Sequence, residues 1–396
     1  MRYRLQRHDG TDCSATMVPI TVLRMVPIQR YRQYYMKIKK NSGKINFSLA
    51  SQILFLGIDY KKAKGGVASV EKVYSTIFSP FHFVRTVVDG NSIQKIGIFI
   101  EAFIHFMFVM ICCPEIKIVH IHGASYASFW RKRIFIFLSK LFRKKVVYHM
   151  HGGAFKEFAL KHRTIVNNTL RKCDIVIVLS DSWKEFFINE LGCKNVIVIK
   201  NPIEHPIYKS GPKKNACVLL FLGLLCKEKG IYDLLEVISE NKKAYWGNLI
   251  FRFAGNGNVV DVLNTIKRLK IDDIAFYEGW VSGKEKIKLL NEADVYILPS
   301  YYEGLPISIL ESMSYHLPII STNVGGIPEI VKDGVNGFII EPGNKKGLKE
   351  AIDHLLFNRE LREKMGVASA DMVKDHLPDS VKKQLENLYL KLLNDK

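Results

Sequence analysis

Acidic residues are scarce in this 396-residue chain, which has 38 Asp and Glu residues against 58 Lys and Arg and a formal net charge of +20. This excess suggests a polyanionic partner, and it is compatible with an anionic lipid surface, a nucleic acid or a phosphorylated substrate. Composition argues against wholesale disorder, because 48% of the residues are hydrophobic. The length allows two domains, each with a buried core.

Cysteine is scarce as well. The seven cysteines form no CxxC pair and no even set, so we expect reduced core thiols in a cytoplasmic protein.

No N-terminal segment has the apolar core of a signal peptide. The one candidate for a membrane span, Ile96–Cys113, is interrupted by Glu101 and His105, which predicts a buried or membrane-grazing helix instead.

Motifs of two other protein classes are missing. A dinucleotide-dependent oxidoreductase needs a G-x-G-x-x-G loop after its first strand, and Gly65-Gly66 does not fit that spacing. No zinc finger, RNP-type aromatic motif or helix-turn-helix supports a nucleic-acid-binding protein, which the net charge alone would allow. We therefore expect no nucleic-acid partner.

Short apolar runs alternate with amphipathic stretches along the chain, a pattern that predicts a doubly wound α/β fold. The predicted strands cover residues 52–57, 116–121, 145–150, 174–179, 195–199, 217–222, 249–254, 274–277, 294–298 and 318–321. A break near 201–215 separates two such series, so we expect two Rossmann-like domains that face each other across a cleft. The predicted organisation is a basic extension (1–50), a first domain (51–205), a second domain (215–377) and a C-terminal helix that crosses back to the first domain (378–396).

The sharpest feature is the segment from Pro299 to Glu311. A strand ends there, a loop carries Glu303 and Gly304, and Pro306 is placed in the first turn of a helix. The free N–H groups and the dipole of that helix start form an anion site. The two glutamates are too far apart for the paired carboxylates of a glycosidase, but they could grip opposite ends of one long ligand. The alternative is two ordinary solvated helix acids.

Other strand ends in this half also carry glycine. Lys229 and Gly230 follow one of them, and a lysine at a helix start can neutralise phosphate charge without a metal. Gly279 and Val281 follow another, where backbone groups could contact a base. The run Gly325-Gly326-Ile-Pro-Glu329 starts one more helix.

From Phe221 to Pro342 the chain resembles the C-terminal domain of family-4 (group 1) glycosyltransferases, which have the two-domain GT-B fold. The resemblance implies that Glu311 holds the ribose hydroxyls and that Glu303 approaches the donor sugar. It also places Lys229 on the diphosphate, Val281 at the base, and Gly304, Leu305 and Pro306 against the sugar and phosphates. The second domain would then bind the nucleotide sugar and the first domain the acceptor.

One residue departs from the family pattern. The family has arginine directly after the glycine of the first strand of this domain, and this chain has Leu224. Phosphate neutralisation should therefore depend more on Lys229 and the helix start, or on another cation such as Lys227.

In the first domain, Gly65-Gly66 resembles the glycine-rich loop that lies near the diphosphate, which makes Gly66 a donor-binding residue. His151, before a Gly-Gly pair, matches the family's active-site histidine that contacts the donor sugar. His122 is a weaker candidate for the acceptor side, with a structural role as the alternative. His120, His122 and His151 lack further ligands at suitable spacing, so we expect no metal site.

The resemblance implies a retaining hexosyltransferase that needs no cofactor and no metal, since the chain has no Asp-x-Asp triplet. The expected donor is a UDP-hexose and the expected acceptor a glycan or lipid-linked acceptor in cell-surface polysaccharide synthesis. A GT-B epimerase or phosphorylase is the closest alternative.

Basic and apolar residues interleave between Trp130 and Lys145. This pattern predicts a basic amphipathic helix that lies on an anionic bilayer, and a solvated basic face is the alternative. We therefore expect a peripheral protein at the inner face of the cell membrane.

Overall fold

The computed structural model describes residues 47–62, 65–88, 90–152, 155–208 and 216–394. Most of the extension expected over residues 1–50 lies outside these ranges. Its last four residues form a short helix, α1 (Phe47–Ala50).

The first domain is a six-stranded sheet with helices on both faces. Its strands are β1 (Ile53–Ile58), β2 (His82–Val87), β3 (Ile118–Gly123), β4 (Lys145–Met150), β5 (Ile175–Val178) and β6 (Val196–Val198). Its helices are α2 (Gly66–Ile77), α3 (Ser92–Cys112), α4 (Ala127–Leu141), α5 (Phe155–Lys161), α6 (Arg163–Leu170) and α7 (Asp181–Asn189). The strand order is β2-β1-β3-β4-β5-β6, and every pairing is parallel.

The second domain repeats this plan. Its strands are β7 (Cys217–Leu222), β8 (Leu249–Ala254), β9 (Ala275–Tyr277), β10 (Val295–Leu298), β11 (Ile319–Thr322) and β12 (Gly337–Ile340), in the order β12-β11-β10-β7-β8-β9. Its helices are α8 (Ile231–Glu240), α9 (Lys242–Tyr245), α10 (Val259–Arg268), α11 (Gly283–Glu292), α12 (Ile307–Ser314), α13 (Ile327–Ile330), α14 (Lys345–Phe357), α15 (Arg359–Met372) and α16 (Pro378–Asn394).

The central strands are apolar along their whole length because helices cover both faces of each sheet. All six residues of β7 are buried, as are all six of β3. In parallel sheets of this type, the carboxyl ends of the strands meet at one edge, where ligands bind. Each sheet therefore offers one ligand-binding edge.

The C-terminal helix α16 returns to the first domain. It packs on α1 and α2, and the Tyr389 hydroxyl hydrogen-bonds to His120 Nδ1 at 2.7 Å. The chain thus returns from the second domain to the first through α16.

The predicted doubly wound α/β architecture is confirmed, with differences in detail. Strands β2 and β12, at the sheet edges, were not predicted. Two short helices, α5 and α6, occupy the segment between β4 and β5. The helix expected over Ile96–Cys113 begins earlier, at Ser92, and buries only Ala102, Phe106, Val109 and Met110. The prediction that this helix is buried is therefore wrong, because only one narrow face of it packs on the sheet and the rest is exposed or half-buried.

Candidate functional site

A cleft of about 520 Å³ lies between the two domains. Residues from the starts of α2 and α12 and from the ends of β4, β7, β8 and β10 line it. The structure brings all nine residues singled out from the sequence to its wall: Gly66, His151, Lys229, Val281, Glu303, Gly304, Leu305, Pro306 and Glu311.

The start of α12 forms the floor of the cleft on the side of the second domain. Pro306 is the cap before the helix and not a residue of its first turn, since the helix begins at Ile307. Ile307 and Ser308 line the cleft. The first N–H groups of a helix have no partners within it, so this floor carries the partial positive charge that favours an anion.

Glu303 is held in place by two side chains. Its Oε1 atom accepts a hydrogen bond from Ser300 Oγ at 2.9 Å and lies 2.5 Å from Lys229 Nζ. The side chains of Glu303 and Lys229 are 10% and 24% exposed, so this ion pair is largely shielded from water. Each group neutralises the charge of the other.

The position of Lys229 depends on the glycine that follows it. Gly230 has φ of 71°, and a Cβ atom there would lie 2.0 Å from the carbonyl oxygen of Pro299. Only glycine combines a left-handed conformation with this close approach at no steric cost. The turn that carries Lys229 can therefore sit directly against the end of β10, next to Glu303.

A second ion pair lies further along α12. Lys286 Nζ, on α11, is 2.5 Å from Glu311 Oε1, and the two side chains are 23% and 12% exposed. Burial lowers the pKa of Lys286, but the facing Glu311 carboxylate raises it more, so it lies above its ordinary value. Sequence reasoning missed Lys286, although it lies five residues after Val281 in a helix that follows a glycine-bearing strand end.

Leu224 occupies the position where the resembling family has arginine, and it leaves the cleft with lysines as its cations. Leu224 lines the cleft with 51% of its surface exposed. Lys227, which the sequence offered as a compensating cation, is exposed and is not among the lining residues. The second lysine of the cleft is Lys286.

The glycine pair before α13 supports the loop that carries Glu303. Gly326 donates its N–H to the carbonyl oxygen of Gly304 at 2.6 Å. Gly325 has φ of 56°, and a Cβ atom there would lie 2.1 Å from the carbonyl oxygen of Glu303. A side chain at this position would push the loop out of place.

The first domain closes the cleft with Gly66 and His151. A Cβ atom on Gly66 would lie 3.2 Å from Ile307 Cγ1, so the starts of α2 and α12 are almost in contact. His151 follows β4, and its Nε2 atom lies 2.8 Å from Nδ1 of His122. His122 is buried and does not line the cleft, so its place is behind His151 and not on an acceptor surface. Burial lowers the pKa of His151 to about 3, although Asn201 opposes this shift.

Behind His151 lies a group of buried histidines. Ring nitrogens of His120, His122 and His149 lie within 4.8 Å of one another, a spacing compatible with a loose metal-binding cluster. Two nitrogens bound to one zinc ion at about 2.0 Å lie about 3.3 Å apart. His120 Nε2 and His149 Nδ1 have this separation of 3.3 Å, and His120 Nδ1 is hydrogen-bonded to the Tyr389 hydroxyl. The sequence did not foresee that His149 would join this group.

Glu329 connects the two domains, a contact that the sequence did not indicate. Its carboxylate accepts hydrogen bonds from Ser182 Oγ at 2.6 Å and from the N–H groups of Asp181 and Ser182 at 3.3 Å. It therefore caps the start of α7 from the opposite domain. Burial raises the pKa of Glu329, but these hydrogen bonds and the charge of Lys200 lower it more, to below its ordinary value.

Comparison with known proteins gives two family matches. A family described as glycosyl transferases group 1 matches residues 204–372, and one described as glycosyltransferase family 4 matches residues 98–205. The uncharacterized glycosyltransferase MJ1069 of Methanocaldococcus jannaschii is 27% identical over 282 residues, which are 66% of this chain and 72% of that protein. The N-acetyl-alpha-D-glucosaminyl L-malate synthase of Bacillus anthracis is 24% identical over 89% of this chain and 94% of its own length. Matches to some further curated relatives cover about half of those proteins.

A solved structure supports the fold assignment. HepE of Anabaena, crystallised in complex with UDP, is similar with a TM-score of 0.68 at 16% sequence identity, over 86% of this chain and 100% of that chain. The predicted GT-B fold is therefore confirmed.

The buried histidines should make stability depend on pH. Burial holds the pKa values of His120, His122 and His149 well below their ordinary value, and that of His151 at about 3. These histidines stay neutral in the folded protein but bind protons in the unfolded chain below about pH 6.5. The stability they contribute is thus complete above pH 6.5 and is lost as the pH falls below it, by about 1.4 kcal/mol per pH unit for each histidine, for His151 down to about pH 3.

Urea unfolding at pH 7 and pH 5.5 measures this effect. His151→Asn should lower the dependence of the unfolding free energy on pH, whereas the exposed His205→Gln should leave it unchanged. An unchanged dependence in His151→Asn would show that His151 does not stay neutral in the folded protein.

The contact made by Glu329 should favour the closed cleft. Glu329→Ala removes a cap from α7, worth about 1 kcal/mol, and so should shift the balance between closed and open forms about fivefold towards open. Small-angle scattering should then show a larger radius of gyration than for the wild type or for Glu360→Ala, an exposed acid of the same domain. Equal radii for all three proteins would mean that Glu329 does not control closure.

Proposed function

Because the chain belongs to the group 1, family 4 glycosyltransferases, which transfer a sugar from a nucleotide sugar, we propose that it is a retaining hexosyltransferase. Its donor is a UDP-hexose and its acceptor a glycan or lipid-linked acceptor of cell-surface polysaccharide synthesis. The observation that carries the proposal is the joint position of Lys229, Glu303 and the start of α12 on one wall of the cleft.

The diphosphate fits at the start of α12. The N–H groups of that helix start and the Lys229 ammonium offer positive charge at one place, and both line the cleft. A bound diphosphate would compete with Glu303 for Lys229. The Glu303 carboxylate, freed from its ion pair, could then accept hydrogen bonds from hydroxyl groups of the donor sugar. Donor binding and orientation of Glu303 are coupled in this arrangement.

The nucleoside would extend towards Glu311. This carboxylate lies about one turn from the start of the same helix, which suits a ribose attached to a diphosphate at the helix start. Glu311 is paired with Lys286, so the ribose hydroxyls would share the carboxylate with this lysine. Val281 and Trp280 line the next part of the wall, where a base can pack. The UDP found in the similar structure of HepE supports uracil as the base.

Transfer would proceed by departure of the nucleotide diphosphate. The bond between the anomeric carbon and the phosphate oxygen breaks, and its electron pair leaves with the diphosphate. Lys229 and the α12 start stabilise the charge that develops there, which is the role that a metal ion has in other transferases. The acceptor hydroxyl attacks from the face that the diphosphate leaves and gives its proton to the departing phosphate oxygen. The configuration of the sugar is thereby retained, and no cofactor or metal takes part.

His151 would hold the sugar rather than protonate it. With a pKa of about 3, its ring is neutral at physiological pH. The bond between its Nε2 atom and His122 fixes the orientation of the ring. A neutral, fixed imidazole positions a hydroxyl group of the donor by hydrogen bonding.

We further propose that the protein works in the cytoplasm, at the inner face of the cell membrane.

Slow hydrolysis of a panel of nucleotide sugars tests the proposal. One UDP-hexose should be hydrolysed, and Glu311→Ala and the isosteric Glu311→Gln should bind it about tenfold more weakly, which corresponds to about 1.4 kcal/mol. Glu350→Ala, an exposed acid of the same domain, should bind it as the wild type does. Equal affinities would remove Glu311 from the site, and conversion of the donor to an isomer without acceptor would identify an epimerase instead.

A further inference from the structure

The outer faces of α3 and α4 carry an unusual number of exposed apolar side chains. We call the following set the apolar platform: Ile93, Ile96, Ile100, Phe103, Ile104 and Ile111 of α3, and Tyr126, Trp130, Ile134, Phe137 and Leu141 at and along α4. Ile93 is 81% exposed and Phe137 is 58% exposed. Together these side chains expose on the order of 1,000 Å² of surface, above the few hundred Å² of the largest apolar patch on a typical soluble monomer.

The platform is one continuous surface. Apart from the adjacent Phe103 and Ile104, the members on each helix are three, four or seven residues apart, so they share one face. The two helices lie side by side, since Phe99 and Phe106 of α3 pack on Phe135 of α4 with ring centroids 5.9 Å and 5.2 Å apart. The apolar stripes therefore adjoin.

Helix α3 cannot cross a bilayer in this fold. With 21 residues and a mean hydropathy of 1.9 over its most apolar window, it is long and apolar enough to do so. Its other face, however, buries Ala102, Phe106 and Val109 against the sheet. It also connects β2 to β3, which belong to that same sheet. Only its outer face is available to a partner.

Positive charge is concentrated in the segment of the chain that carries the platform. Residues 92–145 contain nine Lys and Arg residues and only two acids, Glu101 and Glu115. Glu101 is already paired with Arg85 at 2.9 Å. Lys95, Lys117, Arg133 and Arg143 are exposed.

The predicted basic helix over Trp130–Lys145 needs a correction here. It ends at Leu141, so the last three basic residues lie beyond it. Lys132 points inward, is 2% exposed and hydrogen-bonds to Thr86. The reason is that the buried face of α4 is set by Phe129, Phe135 and Ile136, with which Lys132 is in phase.

We propose that the apolar platform is a membrane-binding surface for an anionic phospholipid bilayer. This inference rests on the proposed function only for what membrane binding would serve, which is access to a lipid-linked acceptor. Isoleucine and aromatic side chains enter the boundary between headgroups and acyl chains, and the surrounding cations pair with lipid phosphates. An apolar stripe rimmed by cations matches this partner better than it matches a protein, whose interface would need hydrogen-bonding groups and acids.

The platform is well placed to bring an acceptor to the cleft. Helix α4 begins next to the end of β4, where a Cβ atom on Gly152 would lie 3.2 Å from the N atom of Ser125. Gly152 follows His151, which lines the cleft. A lipid-linked acceptor held in the bilayer beneath α4 would therefore find the cleft at the membrane surface.

Vesicle flotation tests this proposal with the full chain. Wild type should float with vesicles of phosphatidylcholine containing about a third phosphatidylglycerol, and much less with phosphatidylcholine alone. The double variant Ile100→Glu and Phe137→Glu should lower the ratio of bound to free protein about tenfold, equal to about 1.4 kcal/mol. The matched control, Val260→Glu with Phe357→Glu, changes two exposed apolar residues of the second domain and should float like the wild type.

Donor hydrolysis without vesicles keeps the two proposals separate. Both double variants should hydrolyse the donor as the wild type does, which also shows that they fold. If no donor is hydrolysed but flotation follows the pattern above, the proposed function fails and the membrane surface stands. Wild type that stays with the soluble fraction, or a platform variant that floats equally well, would overturn the proposal. A wild-type dimer that the platform variant dissociates, without flotation, would assign the surface to a second copy of the chain.

Discussion

The ion pair between Lys229 and Glu303 is the interaction on which the proposed donor site depends. It joins two strand ends that are 74 residues apart in sequence, and Gly230 makes the contact possible by its close approach to Pro299. Leaving one member of a buried pair without its partner costs about 3–5 kcal/mol. The cleft wall is therefore stabilised because Lys229 and Glu303, and likewise Lys286 and Glu311, neutralise each other. In the proposed complex a diphosphate adds negative charge beside Lys229, and the helix start must supply the remaining compensation.

Much of the fold and most of the site residues could be predicted because they follow one rule. Buried parallel strands give unbroken apolar runs, and candidate site residues lie in the turns that follow them, as Lys229 and Glu303 do. The edge strand β2 escaped this rule because its residues alternate between buried and half-buried positions and include Arg85. The rule did not identify Glu329, because its hydrogen-bond partners are 147 and 148 residues away in sequence, in the other domain. A contact of that kind leaves no local signal.

The helices of the first domain show a different limit of sequence reasoning. Periodicity indicated that α4 is amphipathic, but apolar residues occur on both of its faces. The pattern could not decide which of them meet the sheet, and Lys132 consequently lies inside rather than on the basic surface. The apolar residues left outside, joined to those of α3, exceed what folding of this chain needs. That surplus is the physical reason to assign the surface to a partner, and the charge around it selects an anionic bilayer.

The most direct test of the account is the crystal structure of the protein with uridine diphosphate. We predict that the phosphate oxygens lie within hydrogen-bonding distance of Lys229 Nζ and of the N–H groups of Ile307 and Ser308. Lys229 should then be separated from Glu303, whose carboxylate should face the space for the sugar. A diphosphate bound elsewhere, or one bound beside an unchanged pair of Lys229 and Glu303, would contradict the account.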